Sequence, residues 1–271
     1  MTPERIEKFL AAIKPEEQYD NYLRVKRVEI VGPSKHILLE KNGSKIDEYD
    51  VVIRLKWLPM KGFNTFKDSV GDETHVMYSS MINHQADYDV LSKTDIKFTR
   101  HPECSVGSNL SSKKYYNIVA TSYTAEEYAF ILKDYALNNG YAQDKISSIN
   151  SKSPYSIWPQ LGFNAIMDTM ASSASEIYIT GFTMYHGGGH MLQKNKPPSH
   201  NKTIVEKHNG VLEALMLKDV IRCVGEEKKI ILDPILEKIL NSYDDLSAEK
   251  GSLASIMNSL TDEVNNLVKD L

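Results

Sequence analysis

Five short runs of β-branched and aromatic residues, each bounded by turn residues and set among stretches of helical periodicity, constrain this chain more than any other feature of its sequence. The runs are RVEIV at 27–31, DVVIRL at 50–55, THVMY at 74–78, DIKF at 95–98 and EIYIT at 176–180. Their composition and length suit strands. The stretches AEEYAFILKDYAL, QLGFNAIMDTMASSA and NGVLEALMLKDVI instead have the periodicity of helices with an apolar face. Strands alternating with helices predict an α/β fold: a single Rossmann-like parallel sheet with helices on both faces, since a parallel sheet is buried on both sides. At the N-terminus, Thr2 and Pro3 open a short amphipathic helix with an apolar stripe of Ile6, Phe9, Leu10 and Ile13, which Pro15 ends.

With 271 residues, 41% of them hydrophobic, the chain can bury one large core. After Leu232–Pro234 the composition shifts to acidic helix, so the sequence divides into residues 1–232, carrying the sheet, and a C-terminal helical extension over 233–271. In that extension Leu253, Met257, Leu260, Val264, Leu267 and Leu271 alternate at four and three, a seam expected to complete the core or to join two protomers in a homo-oligomer. The net charge of -4 supplies no basic field for a phosphate backbone, which excludes nucleic acid as a main partner. The two cysteines, Cys104 and Cys223, match no metal spacing and point to a reducing compartment. His186, His190 and His200 are irregularly spaced, without a carboxylate or thiol to complete a set, so no metal site is expected. The N-terminus is too charged for a signal peptide, and no apolar stretch approaches the roughly 20 residues of a membrane span. The expectation is a soluble, cytoplasmic protein.

In an open parallel sheet, ligands bind outside the carboxyl ends of the strands. Gly32, Pro33 and Ser34 stand at the end of the first run, where a glycine lets the backbone approach a nucleotide; a plain strand-ending turn is the other reading. Neither G-x-G-x-x-G nor G-x-x-x-x-G-K-[ST] is present. Tyr185 and His186, just past EIYITGF, fall on the same ligand-facing edge. Asp47 and Arg54 read as a pair that fixes a turn, and Glu213 as a positioning or capping residue.

The order of motifs adds a resemblance. Arg27–Tyr78, with its glycine turn, IDEYDVVIRL and SVGDETHVMY, resembles the large sialylmotif of the eukaryotic-type sialyltransferases. PQLGFNAIMDTMASSASEIYITGF, Pro159–Phe182, is similar to the small sialylmotif, and HNGVLE, His208–Glu213, to the final H-x-x-x-x-E. The resemblance implies a GT-A-like variant fold. It further implies a metal-independent, inverting transfer, without a cofactor, of a sialic acid from a CMP-activated donor to a glycan acceptor. His208 would be the general base, and His190, favoured by its distance over the alternative His200, the group that stabilises the departing phosphate. Gly32, Pro33, Ser34 and Lys56 would cradle the nucleotide, and Gly162 would let backbone amides meet the sugar carboxylate.

The chain also departs from the family pattern. The paired cysteines align with Val28 and Ala174, the glycine turn reads Gly-Pro-Ser-Lys, Lys56 stands for an asparagine, and Gln160–Leu161 replace a Ser/Thr pair. A CMP-Kdo-dependent transferase on the same scaffold and a non-catalytic nucleotide- or glycan-binding relative are the alternative readings.

Overall fold

A computed structural model describes residues 2–55, 63–78, 96–103, 118–124, 131–132, 134–135, 160–191, 210–243 and 253–271. Among these, seven strands form one sheet: β1 (Arg27–Val31), β2 (Val51–Leu55), β3 (Val76–Tyr78), β4 (Phe98–Glu103), β5 (Ile118–Thr124), β6 (Glu176–Thr180) and β7 (Lys229–Leu232). Their order is β5-β4-β3-β2-β1-β6-β7, and every neighbouring pair is parallel. Four of the expected runs are strands in place; the fourth strand takes only Phe98 from DIKF and continues to Glu103. β5, IVATSYT, and β7, KIIL, are additional to the expected runs, because apolar segments this short have too little periodicity to be assigned without their partners.

The helices are α1 (Pro3–Ala12), α2 (Glu17–Leu23), α3 (Gly43–Asp47), α4 (Lys67–Val70), α5 (Leu161–Ala171), α6 (Gly210–Val224), α7 (Pro234–Asn241) and α8 (Leu253–Val268), with a 3-10 turn at Lys35–Leu39. They cover both faces. On one, Val28, Ile30 and Ile53 pack with Phe9 of α1, Phe163 and Ile166 of α5 and Leu212 of α6. On the other, Val31 and Val52 pack with Ile37, with Ile46 of α3 and with Val70 of α4. Alternate residues of β1 thus enter different cores, so the strand is apolar apart from Arg27 and Glu29. Leu236, Ile239 and Leu240 of α7 and Leu260 and Val264 of α8 belong to the larger cluster. Val28 and Ala174 are buried in it as well.

One side of that core is polar. Asp168 of α5 accepts hydrogen bonds from Nε and Nη2 of Arg100 (2.9 and 2.7 Å) and from the Tyr78 hydroxyl, while Arg100 also pairs with Glu16 and lies 4.0 Å over the Tyr19 ring. Arg100 and Asp168 are fully buried. The pairing offsets the cost of burying either charge and ties α5 and α2 to β3 and β4.

Candidate active site at the strand switch point

From β1 the chain lays down β2 to β5 on one side, then β6 and β7 on the other. The segments that leave β1 pack in the smaller core and the helix that leaves β6 packs in the larger, so the connections diverge to opposite faces. A crevice outside the carboxyl ends of β1 and β6 follows from this topology.

Gly32 and Gly181 end the two strands and press against each other. A Cβ on Gly32 would lie 2.2 Å from the Gly181 carbonyl oxygen, and Gly181 has φ +76°. Gly32 N–H donates to the Thr180 carbonyl (2.7 Å) and Ser34 N–H to that of Gly181 (3.0 Å). The demand for glycine at position 32 therefore comes from its neighbour strand, which supports the plain strand-ending reading for that residue. Gly162, at the start of α5, is also sterically required: a Cβ there would meet the Phe182 ring at 2.5 Å.

Beyond Gly181 the chain doubles back over the β1 turn. Ser34 and His190 form an isolated antiparallel bridge, with Lys35 N–H donating to Gly189 (3.2 Å) and Met191 N–H to Pro33 (2.9 Å). Four of the residues singled out in the sequence, Gly32, Pro33, Ser34 and His190, thus come together in one structure. Lys56 and His208 lie outside the described residues.

Tyr185 and His186 belong to the same turn. Met184 and Tyr185 have positive φ, +45° and +61°. Burial pushes the Tyr185 phenol above its ordinary range, and the charge of Glu213 adds to this. His186 is buried, and both ring nitrogens have partners within the protein: Nδ1–H donates to the Thr183 carbonyl (2.8 Å), and Nε2 accepts from the Tyr243 hydroxyl. Burial lowers its pKa, so the imidazole is neutral, and it serves as a strut between this turn and the end of α7.

Glu213 of α6 is buried, and its Oε1 accepts from Gln160 N–H (2.8 Å), satisfying a donor at the start of α5, as the capping reading anticipates. Its Oε2 has no hydrogen-bond partner among the described residues, and burial raises the carboxyl well above the usual range. Gly210, the first residue of α6, packs so tightly that a Cβ would meet the Met184 carbonyl at 1.9 Å. The starts of α5 and α6 therefore converge on the turn that follows β6. Two residues that carry this site escaped the sequence reading, His36 and Asp233. His36 Nδ1 is 3.1 Å from Ser34 Oγ, and its Nε2 is 3.0 Å from Asp233 Oδ2.

Among the described residues no three His, Cys, Asp or Glu side chains form a metal-ligand set, and no helix is long and apolar enough to cross a membrane.

No curated protein sequence matches this one significantly. Among solved structures, a mammalian sialyltransferase in complex with Gal-β-1-3GalNAc-ortho-nitrophenol is 15% identical, with a TM-score of 0.41 over 85% of this chain and 79% of that one. CstII from Campylobacter jejuni is 13% identical in two complexes. With CMP-3FNeuAc the TM-score is 0.45 over 77% of this chain and 81% of that one; with cytidine-5'-monophosphate it is 0.47 over 77% and 80%. Residues 2–146, more than half of the 271, match the family model of glycosyltransferase family 29 (sialyltransferase). The chain is a glycosyltransferase and belongs to that family.

Proposed function

We propose that this enzyme transfers a sialic acid, or a related keto sugar acid, from a CMP-activated donor to a glycan hydroxyl, with inversion and without a metal ion. The observation that carries the reading is the backbone bridge between Ser34 and His190 at the strand switch point. It joins the glycine turn of the large motif to the segment just past the small motif, at the edge where ligands of open parallel sheets bind. In this reading Gly32, Pro33, Ser34 and Lys56 hold the nucleotide and His190 faces the departing phosphate, where charge grows as the glycosidic bond breaks. His208 acts as general base on the acceptor hydroxyl, a task suited to a group that titrates near neutrality. Gly162 and Tyr185 line the sugar side. The role of His186 is to hold the turn, since both its nitrogens are engaged.

The test begins with ligand-induced stabilisation. CMP at about 100 times its Kd, with a chelator present, should stabilise the protein by roughly 2.7 kcal/mol. A larger shift with UDP or GDP would reject the cytidine donor, and a need for a divalent ion would reject the metal-free mechanism. Hydrolysis of CMP-sialic acid and of CMP-Kdo then ranks the sugar acids. Replacing His208 with Ala should lower turnover by about 10²- to 10⁴-fold with little change in donor affinity, and near-normal turnover would remove His208 from the mechanism.

A further inference from the structure

We propose that His36 is a positioning residue of the donor site: it sets the direction of the Ser34 hydroxyl and takes up a proton when the donor's phosphate binds there. This rests on the reading of Gly32–Ser34 as the nucleotide cradle.

The bonding around Asp233 fixes the state of the histidine. Asp233 Oδ1 accepts the backbone N–H groups of Ile235 and Leu236 (2.9 Å each), and Oδ2 accepts that of Gly181 (2.8 Å). A carboxylate can only accept hydrogen bonds. The Nε2 of His36, 3.0 Å from Oδ2, must therefore carry hydrogen and donate. In the neutral imidazole this leaves Nδ1 as an acceptor, so the Ser34 hydroxyl, 3.1 Å away, donates inward. Ser34 Oγ then has only lone pairs left to offer a ligand, and lone pairs repel an anion. With a proton on Nδ1 the direction reverses: His36 donates to Ser34 Oγ, and the hydroxyl hydrogen is free to bond a phosphate oxygen. The bound phosphate would be the charge that favours the added proton.

The loop above Ser34 suits that role. Gly187, Gly188 and Gly189 all have positive φ, and a Cβ on Gly188 would lie 2.9 Å from Ser34 Oγ, whereas the Cβ position of Gly189 meets nothing within 4 Å. The Cβ position of Gly188 also lies 3.1 Å from Val264 Cγ1 and 3.5 Å from Thr183 Cγ2, so any side chain at 188 would crowd the hydroxyl. Other charged groups lie around the chain of bonds rather than in it. Lys35 and Glu40 flank the 3-10 turn, and Tyr178 on β6 feels the charges of Glu29, Asp233 and Glu40. α4 and α8, packed on that turn, bring Lys67, Asp68, Asp262 and Glu263; Lys67 pairs with Asp72, Asp68 with Lys41 and Glu263 with Lys238.

The experiment is CMP titration of the intact protein by calorimetry from pH 7 to 9, where the free nucleotide's phosphate is already fully ionised, with cytidine as the phosphate-free control. Uptake of one proton on binding makes wild-type affinity fall roughly tenfold per pH unit. His36→Gln can donate to Asp233 while its carbonyl accepts from Ser34, so it holds the hydroxyl inward; it should bind CMP weakly at every pH. Ser34→Ala should also lose the slope. His190→Ala should keep it, which separates this effect from titration of His190. Cytidine should show no slope with any of the proteins. A flat wild-type profile, or an unchanged slope in His36→Gln with its melting temperature intact, would overturn the inference while leaving the CMP reading standing. Failure of CMP to bind at any pH would overturn both.

Discussion

The entry to β3 and the exit from β6 lie at opposite ends of the parallel strands, amino and carboxyl, and are held in opposite ways. At the entry, Arg54 donates to the Val70 and Glu73 carbonyls (2.7 and 2.9 Å) and to the Thr74 hydroxyl (3.0 Å), while Asp47 accepts the N–H groups of Asp72 and Glu73. Every partner is within 16 to 26 residues. Asp47 and Arg54 thus fix the turn, as their pairing in sequence suggests, but they do so by gripping the same loop from two sides. At the exit from β6, Gly181 is held by Asp233, His186 by Tyr243, and Gly188 N–H by the Asn265 side chain (3.0 Å), across 52, 57 and 77 residues. The end that serves as scaffold is braced locally. The end that carries the candidate site is braced by the C-terminal helices.

If that contrast is sound, Arg54→Ala gives the largest effect. It strands the buried Val70 carbonyl and two half-buried acceptors, leaves Asp47 without its cation and opens a space beside β2, so unfolding in denaturant should show a loss of about 3–4 kcal/mol. CMP affinity, extrapolated to the folded fraction, should be unchanged. A stable Arg54→Ala protein that no longer binds CMP would reverse the assignment of the two ends.

Glu29 lies where the two regions meet, paired in register with Val52 of β2 and Tyr178 of β6. It is buried, and neither carboxylate oxygen has a hydrogen-bond partner among the described residues. Burial pushes its carboxyl up to about 8, with Arg54 pulling the other way. The folded protein therefore binds more protons than the unfolded chain between the ordinary carboxyl range and about pH 8, and stability falls as pH rises through that window. Glu29→Gln should flatten this dependence and raise stability by roughly 2 kcal/mol at pH 8, with little gain at pH 4.5. Equal melting temperatures of the two proteins at pH 8 would show that the carboxylate is solvated or paired.

The smallest effect belongs to the remote brace itself. Asn265→Ala, on a side chain that is exposed except at its bond to Gly188, should cost about 1 kcal/mol or less of global stability yet weaken CMP binding severalfold. Asn265→Asp keeps the acceptor but adds a negative charge near the proposed phosphate, so its loss of CMP affinity should shrink as salt is raised. Normal CMP affinity in both variants would mean that the turn after β6 is held without α8.

Much of the fold was legible in the sequence because it depends on local order. Continuous β-branched runs between amphipathic segments leave few solutions other than a covered parallel sheet, and RVEIV, VVIRL and EIYIT are its three central strands. The family resemblance likewise grouped Gly32, Pro33, Ser34 and His190, which the fold brings together, whereas the helix that Glu213 caps is α5, 53 residues away, and not the helix it stands in. What depended on pairing was not legible. KIIL becomes a strand only by lying beside β6, and although Asp233 before Pro234 has the local pattern of a helix N-cap, nothing local marks its bond to His36, 197 residues away.

The sequence by itself determined the strand–helix alternation, the two apolar faces of the sheet and the local grip of Asp47 and Arg54, because periodicity and short loops encode them within a few turns of chain. Only the tertiary structure decided that Gly32 is required by Gly181, that His186 is a strut, and that a segment beginning at Asp233, which reads as an appendage, reaches back to the residues beneath Ser34. A buried polar atom takes whichever partner the fold brings within about 3 Å, and nothing in the intervening residues records which one that will be.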